Sequence, residues 1–120
     1  MRTDALSEIL SDLNSSSGDI EASAIVSRDG LIMASLLPSN VEEDRVAAMS
    51  AALLALGERS GKEVDRGALD QIMITGQNGF MLVRDAGEEA VLTVLAKKDA
   101  KLGLVFLDIS RAAKDIAKIL

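Results

Sequence analysis

A chain with 19 carboxylates, 13 lysines and arginines, and no histidine or cysteine has few reactions open to it. Thiol nucleophiles, disulfides, imidazole bases and the usual zinc and copper ligands are excluded together. Gly57-Glu58-Arg59-Ser60-Gly61-Lys62-Glu63 has the outline of a phosphate loop, but only three residues separate its glycines where the motif needs four. Glu63 stands where Ser or Thr must hold magnesium, and the segment continues a helical pattern instead of following a strand. Glu42-Glu43-Asp44 could ligate a hard cation, yet carboxylates opening a helix are explained by the positive end of its dipole. Glu88-Glu89 reads as a solvated turn. Arg28, at a hairpin tip, and Arg59, near a helix end, are exposed cations of the kind that reach a partner or act as an arginine finger; most surface arginines do neither. No catalytic residue, cofactor or metal is expected.

The elements that position these groups follow from periodicity. Leu6, Ile9, Leu10 and Leu13 predict a helix from about Thr3 to Asn14, capped by Thr3 or Asp4. A strand from Ile20 to Ser27, a turn at Arg28-Asp29-Gly30 and a strand from Leu31 to Leu37 make a hairpin. Pro38-Ser39-Asn40 stops it, with Asn40 or Ser39 as the cap of a long helix reaching about Gly61. Strands are expected at about Ala68–Thr75, Phe80–Arg84 and Ala90–Lys97, with Asn78-Gly79 as a two-residue hairpin turn and Asp85 to Glu89 as a looser one. Leu102, Val105, Ile109, Ala112, Ile116 and Ile119 mark a last helix from about Leu102 to Ile119.

The order αββαβββα defines an α+β fold with an antiparallel sheet, because short turns join consecutive strands. Strands Ile20–Ser27 and Ala90–Lys97 are apolar on both faces, so they belong at the centre with helices above and below. A chain of 120 residues suits a single domain, residues 1–120. Its net charge of −6 and lack of any Lys/Arg run disfavour nucleic acid. Lys97-Lys98-Asp99-Ala100-Lys101 is best explained as a solvated turn. The cysteine-free makeup fits a cytoplasmic protein, and neither a basic, then apolar, leader nor a membrane span is expected.

One segment is unusual. Val46 to Gly57 contains no charge. Val46, Met49, Leu53 and Leu56 form a bulky stripe expected to pack on the sheet, while Ala47, Ala48, Ala51 and Ala55 form a second, small-residue face. Alanines are also simply good helix formers. A solvated helix face normally carries Lys or Glu, however, so the charge gap favours contact with another chain. The strand Leu69–Thr75 is an edge whose Ile72, Met73 and Ile74 would risk aggregation if left open, although Asp70 and Gln71 could blunt it.

Taken together, Ala22-Ser-Ala-Ile-Val-Ser-Arg-Asp-Gly-Leu31, Met49-Ser-Ala-Ala-Leu-Leu-Ala-Leu-Gly-Glu58 and Gly67-Ala-Leu-Asp-Gln-Ile-Met-Ile-Thr-Gly-Gln-Asn-Gly79 resemble the roadblock domain family, with Leu102-Gly-Leu-Val105 adding to the match. That family is named for dynein light chains and related to profilin- and longin-like folds. The likeness spans nearly the whole chain. It is greatest to short stand-alone bacterial and archaeal members, including MglB-type regulators of Ras-like GTPases.

The resemblance implies a five-stranded sheet and a two-fold dimer whose third strands pair edge to edge, with the second helices side by side. Carried over, the interface comprises Leu69, Gln71, Ile72, Met73, Ile74 and Thr75 with Ala47, Ala51 and Ala55. The partner-binding face comprises Ala48, Ala51, Ala55, Glu58 and Arg59. The expected function is a non-catalytic homodimer, or paralogous heterodimer, that binds a small Ras-like GTPase and modulates its nucleotide state. The rival is a structural adaptor of the dynein light chain type with no nucleotide-dependent partner. A small-ligand sensor or a groove for proline-rich peptide is disfavoured, since two Phe and no Trp or Tyr leave little to stack on.

Overall fold

The computed structural model describes residues 2–120. The order is α1 (Arg2–Ser16), β1 (Ile20–Ser27), β2 (Ile32–Leu36), α2 (Glu43–Glu63), β3 (Ile72–Gly76), β4 (Gly79–Asp85), β5 (Ala90–Lys97) and α3 (Leu102–Ile119). The strands form one sheet in the order β2-β1-β5-β4-β3, with every neighbouring pair antiparallel. β1 and β5 are central, as their two-sided apolar character requires.

Strand alternation divides the core in two. On one face Ile25, Leu82, Leu92 and Val94 meet Leu6, Leu10 and Leu13 of α1 and Val105, Ile109 and Ile116 of α3. On the other, Ala24, Val26, Val83 and Val91 meet Ala47 and Leu54 of α2. The helix pair covers one side and α2 alone covers the other.

Several boundaries differ from the sequence expectation, each for a local reason. α1 already includes Thr3 and Asp4, so neither is its cap; Asp4 sits in the first turn, where the dipole favours its charge. α2 starts at Glu43, with Glu42 as an N-cap that makes no side-chain hydrogen bond. Asn40 and Ser39 are instead taken up by a turn in which the Val41 N–H donates to the Pro38 carbonyl at 3.0 Å. β3 begins only at Ile72, because Asp65 and Gly67 take positive φ angles that send the chain back under the helix before it extends.

The β3–β4 turn is also shifted by one residue. Gly76 pairs with Gly79, leaving Gln77 and Asn78 as the two-residue loop. Gly79 enters β4 with φ 140°, where a Cβ would lie 2.4 Å from the Ala96 carbonyl oxygen. Its glycine serves close approach to β5 as well as the bend. The β1–β2 connection closes as expected at Gly30 (φ 86°), with the Ser27 N–H donating to the Leu31 carbonyl at 2.8 Å.

The largest correction concerns the rotation of α2. Its sheet-facing line is Val46, Ser50, Leu54, Gly57 and Gly61, with Ala47 fully buried beside it. Met49 and Leu56, expected inside, are 51% and 59% exposed. Leu53 is half-buried. Small residues win the inner position because the helix lies close on the sheet. A methyl on Gly57 would sit 2.5 Å from Ile72 Cδ1 and 3.0 Å from Leu69 Cδ2. Ser50 is accommodated because the Thr93 hydroxyl donates to its Oγ at 2.7 Å, satisfying two hydroxyls otherwise cut off from water.

Candidate functional site

Several of the groups that chemistry would recruit are occupied structurally. The segment Gly57–Glu63 is helical throughout, so it forms no phosphate-cradling loop. Glu42 pairs with Arg45 at 3.0 Å, Glu43 accepts the Ser35 hydroxyl, and Glu89 pairs with Arg2 at 3.6 Å. Among the described residues no cluster of three carboxylates could hold a metal.

Arg28 is committed within its own chain. Its Nη1 donates to both oxygens of Glu58, at 3.1 and 3.3 Å, and its Nη2 to the Gly87 carbonyl at 3.3 Å. One guanidinium therefore ties the β1–β2 tip to α2 and to the β4–β5 turn, a planar donor set suited to several acceptors. Glu58 is held at this junction, whereas Arg59 is exposed.

The basic turn after β5 also has a structural partner. Asp19 accepts the Lys101 backbone N–H at 2.8 Å and lies 3.3 Å from Lys97 Nζ. Its carboxyl is held below the ordinary 3.8, first by that backbone N–H and then by the two lysines, against a desolvation that pushes the other way.

What remains open is a strand edge and a helix face. β3 is the outermost strand on its side, and Met73 and Ile74 on it are each 42% exposed. Its pairing with β4 is regular over five consecutive residue pairs, so the free side presents a flat ladder of backbone donors and acceptors. Ile72 packs inward against the α2 side of the core. Leu69 and Gln71 lie just before the strand, half-buried; Gln71 Oε1 is buried without a hydrogen-bond partner.

On α2 the outward line is Arg45, Met49, Ala52, Leu56 and Arg59, at steps of four, three, four and three, flanked by exposed Ala48 and Ala55. Apart from its terminal arginines, this line is uncharged. Ala51 is half-buried, and Ala47 is wholly covered by its own sheet and offers no surface to another molecule. The outward apolar residues missed in the sequence were Met49, Ala52 and Leu56. The recoverable signal was a line of small residues, Ser50, Gly57 and Gly61, in register with Val46 and Leu54.

Edge and face meet at Gly57, where α2 rests on Leu69 and Ile72. α2 starts beside β2, through Ser35 and Glu43, and touches every strand of the sheet before reaching β3. The six residues after Gly57 carry it about 9 Å further in the same direction.

The chain matches the Roadblock/LC7 domain model over residues 6–96. An uncharacterised protein of Methanocaldococcus jannaschii is 40% identical over 111 residues, covering 92% of this chain and 96% of that protein. Among solved structures, the gliding protein MglB of Thermus thermophilus has a TM-score of 0.87 at 23% identity, covering 98% of this chain and 90% of the other. A Roadblock/LC7 domain from Streptomyces avermitilis has a TM-score of 0.86 at 23% identity, covering 93% of this chain and 94% of that one. At these identities the structural likeness speaks for the fold alone. No helix among the described residues is long and apolar enough to cross a membrane.

Proposed function

Because this chain belongs to the Roadblock/LC7 domain family, we propose that it works as a non-catalytic homodimer that binds a small Ras-like GTPase and biases its nucleotide state. The observation that carries this reading is the junction of an open, apolar β3 edge with an uncharged outer face of α2. Edge-to-edge pairing of β3 with a second copy satisfies the free backbone ladder and continues the sheet across both protomers. It also brings the C-terminal halves of the two α2 helices together, because each extends past its own contact with Ile72.

The exposure of these residues supports the following assignment of the two surfaces. The dimer contact is Ile72 to Thr75, with Leu69 and Gln71 at its mouth and Leu56 above it. The partner platform is Ala48, Met49, Ala52 and Ala55, with Ala51 and Glu58 on its flank and Arg59 at its end. Ala47 has no part in either. A platform with no free acid, base or nucleophile acts by preferring one switch conformation of its partner. A tenfold preference requires about 1.4 kcal/mol of differential contact energy.

Sedimentation of the purified protein tests the first half: a dimer at tens of micromolar supports it, and a strict monomer overturns it. Pull-down with the GTPase encoded nearest to this gene, loaded with GTP analogue or GDP, tests the second. Nucleotide-dependent capture supports regulation; equal capture in both states shifts the reading to a structural adaptor.

A further inference from the structure

On the side of the sheet opposite α2, helices α1 and α3 leave a groove between them of about 190 Å3. Its apolar floor is Ile9 and Leu13 from α1 and Ala112 from α3, and its rims carry Asp12, Asp108, Arg111 and Asp115. Leu104, Asp108, Arg111 and Asp115 follow at steps of four, three and four, one stripe of α3, so Leu104 continues the wall by a further turn. Leu104 is 57% exposed. It is not needed by the core, which Val105, Ile109, Ala112, Ala113 and Ile116 already supply from this helix.

The charges around the groove are unspent. Three carboxylates stand with one guanidinium, and none of the four forms an ion pair among the described residues. Asp108 takes only a 3.2 Å hydrogen bond from the Ser16 hydroxyl.

We infer that this groove docks an amphipathic helical segment of a partner protein, with leucine-sized residues along one stripe and Lys or Arg beside it. The floor and Leu104 accept the apolar stripe, and the acidic rim complements the cations. The same rim repels phosphate, which disfavours anionic lipid and nucleic acid. A proline-rich segment needs aromatic rings to pack on, and none lines the groove. Pairing at β3 leaves the groove open on both protomers, so the inference is independent of the GTPase reading.

The test titrates the whole, isotope-labelled protein with an 18-residue peptide of Leu and Lys at helical spacing, following backbone amide shifts. A scrambled isomer of equal composition is the control. Shifts are expected at Ile9, Leu13, Leu104 and Ala112. Asp108→Lys combined with Asp115→Lys is expected to weaken binding about tenfold or more, while Glu88→Lys with Glu89→Lys, the same change in net charge, costs less than about twofold. Leu104→Ser, which leaves the core untouched, is expected to weaken binding about fivefold and guards against misfolding of the charge-reversed variant. Shifts centred on α2, equal binding of the scrambled isomer, or equal weakening by the two charge-reversed pairs each overturn the inference.

Discussion

The two edges of the sheet are finished in opposite ways. At β2 the register slips between Ile25 and Val26, where Met33 is left as an extra residue, and Pro38 follows two residues after the strand. The Ser35 hydroxyl is engaged by Glu43 at the start of α2, and α1 packs across the strand. At β3 all five residues pair in unbroken register, and Met73 and Ile74 stand in the open. Bulges and flanking prolines are devices that keep an edge from accepting another strand. One edge has them and the other lacks them. The contrast supports the proposal that β3 is the edge that pairs with a second copy.

The most direct way to break this comparison is a matched pair of charges. Ile74→Lys on the flat edge is expected to weaken self-association by at least about tenfold, read by sedimentation, with the helical and strand signal in circular dichroism retained. Leu36→Lys on the bulged edge, where the side chain is 41% exposed, is expected to leave the mass unchanged. Equal effects at both edges would erase the distinction.

Leu56→Asp sharpens it by asking whether the helix face belongs to the same interface. The residue is outside the core, so chemical denaturation of the monomer should move by no more than about 0.5 kcal/mol. Dimer dissociation and loss of partner capture should appear together.

Gly57→Ala probes the hinge between edge and face. A methyl gains about 1 kcal/mol of helix propensity but forces the ends of Ile72 and Leu69 aside. Monomer stability should therefore change little, while association weakens because Ile72 opens the proposed pairing strand and Leu69 lies just before it. Unchanged association would separate α2 from the edge.

The smallest effect is expected far from either edge. Asp19 has its carboxyl pKa depressed in the folded chain, so its contribution is complete above the ordinary 3.8 and is lost as pH falls through the lower folded value. Asp19→Asn should flatten the acid limb of stability below about pH 4 and leave the dimer at neutral pH alone. A change in association would mean that the contrast between edges depends on charge at a distance.

Sequence alone rendered some parts of this molecule sharply and others with a systematic error. β1, β5 and α3 have the boundaries read from the sequence, because their apolar runs are long and bounded by turn residues. Their central placement and the distribution of helices over both faces also followed. The start of β3 did not. The approach to it, from Ala68 to Gln71, runs without a Gly or Pro into the apolar Ile72-Met73-Ile74, and only the packing of Leu69 beneath Gly57 separates it from the strand.

Side-chain bulk is a poor guide to which side of α2 faces the sheet. Close seating on the sheet demands the reverse at Ser50 and Gly57, and sends Met49 and Leu56 outward. The proposed surface on α2 therefore lies turned about the helix axis from the alanine face, and Ala47 lies in the core. The clasp of Arg28 on Glu58 and Gly87 joins residues distant in sequence and leaves no periodic trace.

The hydroxyl pair of Thr93 and Ser50 beneath α2 has a consequence for how such a surface can change. It anchors the azimuth of the helix from the buried side, so turning α2 to show a different stripe would strand two polar groups away from water. Substitutions along the outward line can then accumulate with little effect on folding. Recognition can diverge between relatives while the scaffold beneath stays put.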